Sequence, residues 1–489
     1  MNPHANSRSD LAAIAVSTMV ERGLQPDFPA VALRQLEGIA DAGLESGPNI
    51  RDLTGLAWCS IDNDDSRDLD QLSVCEAQAG GAVRILVAVA DVDAVVRKDT
   101  PIDAHARLNT TSVYTGARIF PMLPERLSTD LTSLNPGEDR MAMVTDMVFL
   151  ADGSLANSSV YRARVRNQAK LAYDSVSEWL EGRAPLPAAA VAVPGMDVQL
   201  RTQDAVAQQL RARRHEQGAL EFETLQPRAV FDGEQVVDIL QQEHNRARQL
   251  IEEFMIATNS CTARYLAAHN RVSLRRVVRS PERWQRIVEL ARDKGDSLPP
   301  TPDGRALEAF LVRQRAADPL RFPDLSLVIV KLMGAGEYVV ETPGTTPIGH
   351  FGLATRDYMH STAPNRRFPD LITERLLKAL LAQSPSPYTL AELGALASHC
   401  TEQEDNANKV ERKLRKCEAA LVLESRIGQR FDGVITGNSP KGVWVRIFSP
   451  PAEGKLIPGK ADSFRVGQKL RVRLTGADVD RGFIDFVPD

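Results

Sequence analysis

Between Asp62 and Asp70 the chain sets five aspartates into nine residues, in the run Ile61-Asp62-Asn63-Asp64-Asp65-Ser66-Arg67-Asp68-Leu69-Asp70-Gln71. The residues before it, Gly55-Leu56-Ala57-Trp58-Cys59-Ser60, read as a strand. A fold that carries this segment must deliver crowded carboxylates to the end of a strand and supply a counter-charge for them. Hard oxygen ligands at that density suit Mg²⁺ or Mn²⁺. Two such ions held side by side are a common apparatus for cleaving a phosphodiester. The segment points to a metal-dependent nuclease.

Two plainer readings compete. In a calcium loop Asp62, Asp64, Ser66 and Asp68 would take positions 1, 3, 5 and 7, but position 6 is Arg67 instead of Gly and position 12 is Ser73 instead of Glu. A solvated acidic loop is the better alternative for this segment alone, and two later blocks of sequence weigh against it.

A chain of 489 residues is too long for one core and predicts two to four domains. Its 43% hydrophobic and 25% charged residues are ordinary for a soluble globular protein. The net charge of −5 excludes a polybasic nucleic-acid binder but not an enzyme with an acidic metal site and local basic channels. Cys59, Cys75, Cys261, Cys400 and Cys417 form no C-x-x-C pair, so reduced cytoplasmic thiols are expected. The N-terminus lacks a signal pattern. No stretch reaches the ~18 apolar residues of a membrane span, and the longest candidate, Leu86 to Val96, is broken by Asp91 and Asp93.

Along the chain, residues 1–48 carry two helical patterns, about Asp10–Glu21 and Pro29–Ala42, and read as a small helical domain, possible as a helix-turn-helix. Strands and loops are expected from about Asp52 to Leu150, with Val83–Ala90 and Val144–Leu150 as the clearest strands. Helices are predicted over Tyr173–Leu180, Val198–Arg214, 245–268, Arg283–Lys294, Ala306–Arg315 and Leu390–Ser425, with a connector over Gly182–Gly195. The last 60 residues hold five short strands, which suit a small closed barrel of the OB type. From Arg430 to Asp489 ten Lys/Arg stand against seven Asp/Glu, so this part is locally basic.

The aspartate segment resembles the first signature of the RNase II/RNase R (RNB) family of exoribonucleases. Thr111-Ser112-Val113-Tyr114, Ile119-Phe120-Pro121-Met122-Leu123-Pro124-Glu125-Arg126-Leu127-Ser128 and Ser133-Leu134-Asn135-Pro136-Gly137-Glu138-Asp139-Arg140 are similar to its second block. His350-Phe351-Gly352-Leu353 with Thr362-Ala363-Pro364-Asn365-Arg366-Arg367-Phe368-Pro369-Asp370-Leu371 is similar to its third. The resemblance covers about residues 50–385. It implies an α+β multidomain fold: an RNB catalytic domain (49–385) built on a mixed β-sheet surrounded by helices, a helical extension (386–427) and an OB-type RNA-binding domain (428–489). Two departures stand out. The family's two N-terminal cold-shock domains have no room here, so a short form is expected. The first signature ends Asp70-Gln71 where the family has Asp-Asp.

The resemblance implies roles residue by residue. Asp62 and Asp68 would hold metal, one or two ions of Mg²⁺ or Mn²⁺, and Asp70 would be both a ligand and the carboxylate that activity depends on. Gln71 would occupy the fourth ligand position with only a neutral carbonyl oxygen, a weaker donor for a hard dication. Arg366 would stabilise charge at the scissile phosphate, with Arg367 beside it; the structural alternative is an ion pair with Asp370. Tyr114 and Phe222 would bracket stacked bases, and Tyr173 would sit near the 3′ end; the alternative for each is core packing. Glu253 would read the ribose, with Glu252 as the competing match. The arginines Arg271, Arg275, Arg276, Arg279, Arg283 and Arg286, crowded near Trp284, read as a solvated helix face with local ion pairs before a basic RNA path.

The implied protein is a cytoplasmic, processive 3′→5′ exoribonuclease that hydrolyses single-stranded RNA to nucleoside 5′-monophosphates, needing no obligate protein partner and no membrane. Structured RNA with a 3′ overhang is a second candidate substrate. The alternative is an RNA-binding protein on the same fold whose catalysis is weak or lost through Gln71.

Overall fold

The computed structural model describes residues 7–223, 227–241, 245–319, 321–457 and 464–489. Two helices open the chain, α1 (Arg8–Glu21), started by a capping box of Ser7 and Asp10, and α2 (Ala30–Glu37). Next come β1 (Ile50–Asp52), β2 (Cys59–Asp62), β3 (Gln71–Ala77), β4 (Val83–Ala90), α3 (Pro101–Asn109), and a small hairpin of β5 (Val113–Tyr114) and β6 (Ile119–Phe120). The long strands β7 (Asp139–Phe149) and β8 (Leu155–Arg166) follow, then β9 (Ala169–Ala172). These strands, the hairpin excepted, form one mixed sheet in the order β1-β8-β7-β4-β3-β2-β9, with parallel pairs at its two edges.

Both faces of this sheet are covered, which explains the near-continuous apolar character of β4. Alternation along β4 sends Leu86, Ala88 and Ala90 into one core, with Ile102 and Ala106 of α3 and the helices α11 (Phe368–Leu381) and α12 (Leu390–Glu424) described below. Ile85, Val87 and Val89 enter the other core, against Val176 and Trp179 of α4 (Tyr173–Leu180) and two long helices. Those are α6 (Met196–Glu216), which follows the four-residue α5 (Ala188–Val191), and α7 (Arg246–Ala268). Between α6 and α7 lies the hairpin β10 (Pro227–Asp232) and β11 (Gln235–Gln241). A third core is built from α8 (Trp284–Asp293), α9 (Gly304–Ala317) and α10 (Phe322–Met333), packed around Trp284, Phe310 and Phe322, while the antiparallel pair β12 (Ser273–Val277) and β13 (Glu337–Glu341) joins the main core through Leu274 and Tyr338.

The C-terminal residues form a closed five-stranded barrel. Its strands are β14 (Arg430–Ser439), β15 (Gly442–Ile447), β16 (Ala452–Leu456), β17 (Lys469–Asp478) and β18 (Phe483–Pro488), ordered β14-β15-β16-β18-β17. This is the OB arrangement expected from the strand spacing. Closure demands a glycine at position 454, where a Cβ would meet Ile484 O at 2.5 Å and the Phe486 ring at 2.6 Å. The 35-residue α12 is the strut of the molecule. Leu393 and Leu396 near its start lie in the main core, while Cys417, Ala420 and Leu423 near its end lie in the barrel-side core.

The structure corrects the sequence reading of the N-terminus. Helices α1 and α2 have no core of their own. Leu11 packs on the barrel side, Ala15 and Met19 pack with Val113, Phe120 and α12 residues Val410 and Leu414, and Ala32 enters the main core. A helix-turn-helix needs two helices packed on each other; here each is spent on the body. Helix α2 ends at Glu37, capped at Gly38, instead of continuing to Ala42. Helix α3 falls where only strands and loops were expected, started by Thr100 with Pro101 in its first turn. None of the described helices is long and apolar enough to cross a membrane.

Candidate active site

Three stretches far apart in sequence meet at one end of the sheet. The acidic run links β2 to β3 and is pinned by Leu69, which is 1% exposed. The Leu69 N–H donates to Ser133 Oγ at 3.0 Å, and Leu69 O accepts from Leu134 N at 3.0 Å. With Leu69 turned into the core, its neighbours Asp68 and Asp70 face the opposite way. Thr132 hydrogen-bonds Asn365, which ties the second block of sequence to the third. Ser112 N donates to Arg366 O at 3.0 Å and Phe368 N to Thr110 O at 2.8 Å, so the β5–β6 hairpin is laced to the arginine loop.

A cavity of about 400 Å³ opens there, lined among others by Asp62, Asp68, Gln71, Tyr114, Tyr173 and Arg366. Asp62 Oδ1 accepts from Asn63 N at 2.7 Å and Ser66 Oγ at 2.9 Å, which fixes the carboxylate at the end of β2. Asp68 Oδ2 accepts from the Tyr114 hydroxyl at 3.2 Å, and burial raises the Asp68 pKa. Burial also holds the phenols of Tyr114 and Tyr173 above their ordinary range, so both are neutral donors. Asp70 lies behind this wall, 2% exposed. Its Oδ2 accepts from Arg366 Nε at 2.8 Å, and its Oδ1 is buried with no protein partner. Burial pushes its carboxyl up to about 6 against the pull of Arg366.

The two adjacent arginines divide the labour. Arg366 pairs with Asp70 and reaches the cavity. Arg367 takes the structural pair foreseen for Arg366, with Nη2 at 2.7 Å from Asp370 Oδ1, and does not line the cavity.

Glu253 does not line the cavity either. It is 3% exposed and paired with Arg214 through Nε and Nη2. Glu252, one residue earlier on α7, is exposed and lines the cavity instead. Residues 248, 252 and 255 share one stripe of the helix, and Arg248, Glu252 and Met255 all line the cavity. Phe222 is half-buried against the Trp284 and Phe310 cluster and lies outside this cavity. In the arginine-rich stretch, Arg275 pairs with Glu341, Arg276 with Glu404 and Arg279 with Glu337, so the local ion pairs are present, but Arg275 is 2% exposed and lies with Arg276 on β12, not on a solvated helix face. Sequence reasoning missed Arg248, whose only signal was its place one turn before Glu252.

The donor set of the cavity suits a hydrated divalent cation. Among the described residues no group of three or more His, Cys, Asp or Glu side chains converges as a ready-made metal cage. Mg²⁺ does not need one: it keeps several waters and takes one or two carboxylates together with substrate oxygens. Asp62 and Asp68, two hard-oxygen donors on one cavity with the Gln71 carbonyl beside them, fit that requirement. Asp70, turned to Arg366, stands apart from the pair.

Residues 50–383 match the RNB domain family, and residues 429–489 match the RNase II-type exonuclease C-terminal S1 domain. Ribonuclease R of Vibrio cholerae is 30% identical over 505 residues, covering 94% of this chain and 59% of that protein. Ribonuclease R of Escherichia coli is 30% identical over 499 residues, covering 94% of this chain and 60% of that protein. The chain thus spans about 60% of the length of these relatives. In fold it is similar to Mycoplasma genitalium RNase R in complex with ribose methylated single-stranded RNA, with a TM-score of 0.88 at 23% identity over 98% of this chain and 78% of that one. It is also similar to yeast Ssd1, a pseudonuclease, with a TM-score of 0.73 at 16% identity over 91% of this chain and 55% of that one.

Proposed function

The chain belongs to the RNB domain family, and from that premise we propose that it is a 3′→5′ exoribonuclease that releases nucleoside 5′-monophosphates from single-stranded RNA. The observation that carries this reading is the convergence of Asp62, Asp68 and Arg366 on one cavity walled by Tyr114 and Tyr173. RNA enters past Tyr114, whose 39%-exposed ring offers a base a stacking surface. The 3′-terminal nucleotide rests by Tyr173, and Glu252 accepts from a ribose hydroxyl, which favours RNA over DNA.

Asp62 and Asp68, with Gln71 as a neutral donor, would hold Mg²⁺ or Mn²⁺. Bound there, the ion lowers the pKa of water and screens phosphate charge. Arg366 donates to the non-bridging oxygens of the scissile phosphate as negative charge builds up. Asp70 keeps that guanidinium aimed. Water adds to phosphorus, the bond from phosphorus to the O3′ of the preceding nucleotide breaks, and that O3′ takes a proton. The strand, shorter by one nucleotide, again ends in a 3′-hydroxyl, which suits repeated turnover. The five free, buried cysteines suit a reducing compartment such as the cytoplasm.

The test is a 5′-labelled single-stranded RNA incubated with Mg²⁺ or Mn²⁺, with and without chelator. A ladder shrinking from the 3′ end, lost with chelator, is the expected result. Intact RNA in both lanes, with retained binding, would establish the alternative of a catalytically weak RNA-binding protein. The neutral Gln71 among the proposed metal donors is the observation that favours this alternative.

A further inference from the structure

Arg248 lines the cavity with no carboxylate partner among the described residues. Four partly buried arginines near it are matched to carboxylates: Arg214 to Glu253, Arg246 to Asp204, Arg366 to Asp70 and Arg367 to Asp370. Arg248 lines the same cavity as Asp62, Tyr173 and Glu252. Its guanidinium lies over the Tyr173 ring, 4.4 Å from the centroid, and its Nη2 donates to Asn63 Oδ1 at 2.7 Å. Its Nε is buried with no acceptor, and among the described residues no carboxylate pairs with it. A half-buried guanidinium seated over a phenol ring and tethered at one end is restrained in direction. A planar fork held in that way is suited to bidentate binding of a phosphate.

The position of Arg248 says which phosphate. Two contact groups line the cavity: the Tyr114 hydroxyl bonds Asp68, whose charge interacts with Arg366, and Arg248 touches both Tyr173 and Asn63. On the reading above, which this inference rests on, Arg366 serves the scissile phosphate and Tyr173 flanks the last nucleotide. Arg248 therefore stands on the far side of the scissile bond, beside the sugar that leaves. A chain ending in a hydroxyl has no phosphate beyond that sugar; a chain ending in a 3′-phosphate does. Gln71 makes room for the extra charge, since a fourth carboxylate at that position would repel a phosphate dianion.

We infer that Arg248 forms a second phosphate subsite, which lets this site take RNA ending in a 3′-phosphate. Hydrolysis follows the same course, with water adding to the phosphorus of the last internucleotide linkage and the preceding O3′ leaving as a hydroxyl. The product is a nucleoside 3′,5′-bisphosphate, and the shortened chain then ends in a 3′-hydroxyl.

The experiment compares two oligoribonucleotides that differ only in a 3′-hydroxyl or 3′-phosphate terminus. Affinity is read by fluorescence anisotropy in chelator, with the full-length chain, its R248Q variant and its R248K variant, each checked for an unchanged thermal unfolding midpoint. The wild type is expected to bind the 3′-phosphate RNA at least 3-fold more tightly. In R248Q the ratio of the two affinities should fall to about 1, and in R248K by less, because Lys keeps the charge but not the fork. Equal wild-type affinities, or a ratio that R248Q leaves unchanged because both RNAs weaken together, would overturn the inference; the second result would mean that Arg248 grips a phosphate common to both. Cleavage with metal is measured separately. A dead enzyme whose affinity ratio still depends on Arg248 sinks the nuclease reading and leaves the subsite standing.

Discussion

Arg366 Nε donates to Asp70 Oδ2 at 2.8 Å, while Asp70 Oδ1 is buried without a partner. The two residues lie 296 positions apart in sequence. A buried carboxylate that spends one oxygen on an arginine and leaves the other unsatisfied is costly for stability alone. Its other effect is to hold one charged nitrogen of Arg366 while the rest of the guanidinium faces the cavity.

Asp70→Asn separates charge from shape. The amide oxygen still accepts from Arg366 Nε, so the loop keeps its geometry, but the guanidinium loses its counter-ion. Cleavage should fall by at least ~100-fold, the usual loss when a transition-state donor is misplaced. Affinity for single-stranded RNA should stay within about 3-fold, because the aromatic surfaces of Tyr114 and Tyr173 are untouched. Single-turnover cleavage and filter binding on the same preparation check both halves. Near-normal turnover would remove Asp70 from the machinery.

Gln71 is 7% exposed and lines the cavity, so a carboxylate at that position is presented to the same space. Gln71→Asp should lower the Mg²⁺ concentration for half-maximal cleavage by roughly 10-fold, since a charged oxygen replaces a neutral one. Superimposable metal titrations of the two proteins would place residue 71 outside the coordination sphere. On the inference about Arg248, the same variant should also weaken binding of 3′-phosphate RNA.

Much of this site was legible in the sequence because its signals are local. The aspartate run at the end of β2, the Tyr114 hairpin and the Arg366 loop each carry a compact motif, and the five barrel strands are spaced by turn residues. What escaped depends on distance or on a one-residue choice. Whether Arg366 or Arg367 takes Asp370 is decided by loop geometry before α11, not by composition. Glu252 against Glu253 turns on which stripe of α7 faces the sheet, and Arg214, which claims Glu253, comes from another helix. The faces of α1 are apolar enough to suggest a small domain, but only the fold shows that α12 and the barrel cover them.

The barrel offers a test of how RNA is gripped away from the cavity. Lys469, Arg471 and Arg473 alternate along β17 and point outward, while Val472 and Leu474 fill the barrel. Replacing all three with Gln removes surface charge without touching that core. If they meet phosphates, the slope of log affinity against log salt should flatten by roughly 2, at about 0.7 per phosphate for a single strand. Cleavage of a fully bound short substrate should change little. An unchanged slope would mean that this face of the barrel does not follow the backbone.

The hairpin that carries Tyr114 is held from behind by two carboxylates of α12. Glu411 Oε1 accepts from Tyr114 N at 3.0 Å, and Glu418 Oε1 accepts from Gly116 N at 2.9 Å. Glu418 is 3% exposed, and burial raises its pKa from 4.5 to about 7 against the pull of that N–H and of Arg415. The folded state therefore holds this proton more tightly than the unfolded chain does. Its contribution to stability is intact below about pH 4.5 and is lost as pH rises through about 7. Glu418→Gln keeps an oxygen for Gly116 N–H and removes the charge that burial penalises. The variant should therefore be more stable than the wild type at pH 8, by on the order of 3 kcal/mol for a shift of this size. That advantage should shrink steadily to nothing near pH 4.5. Thermal unfolding of both proteins at pH 5, 6, 7 and 8 measures the gap. A gap that is constant across the series would mean that Glu418 does not titrate in this range and that the hairpin is held by a permanently charged clamp.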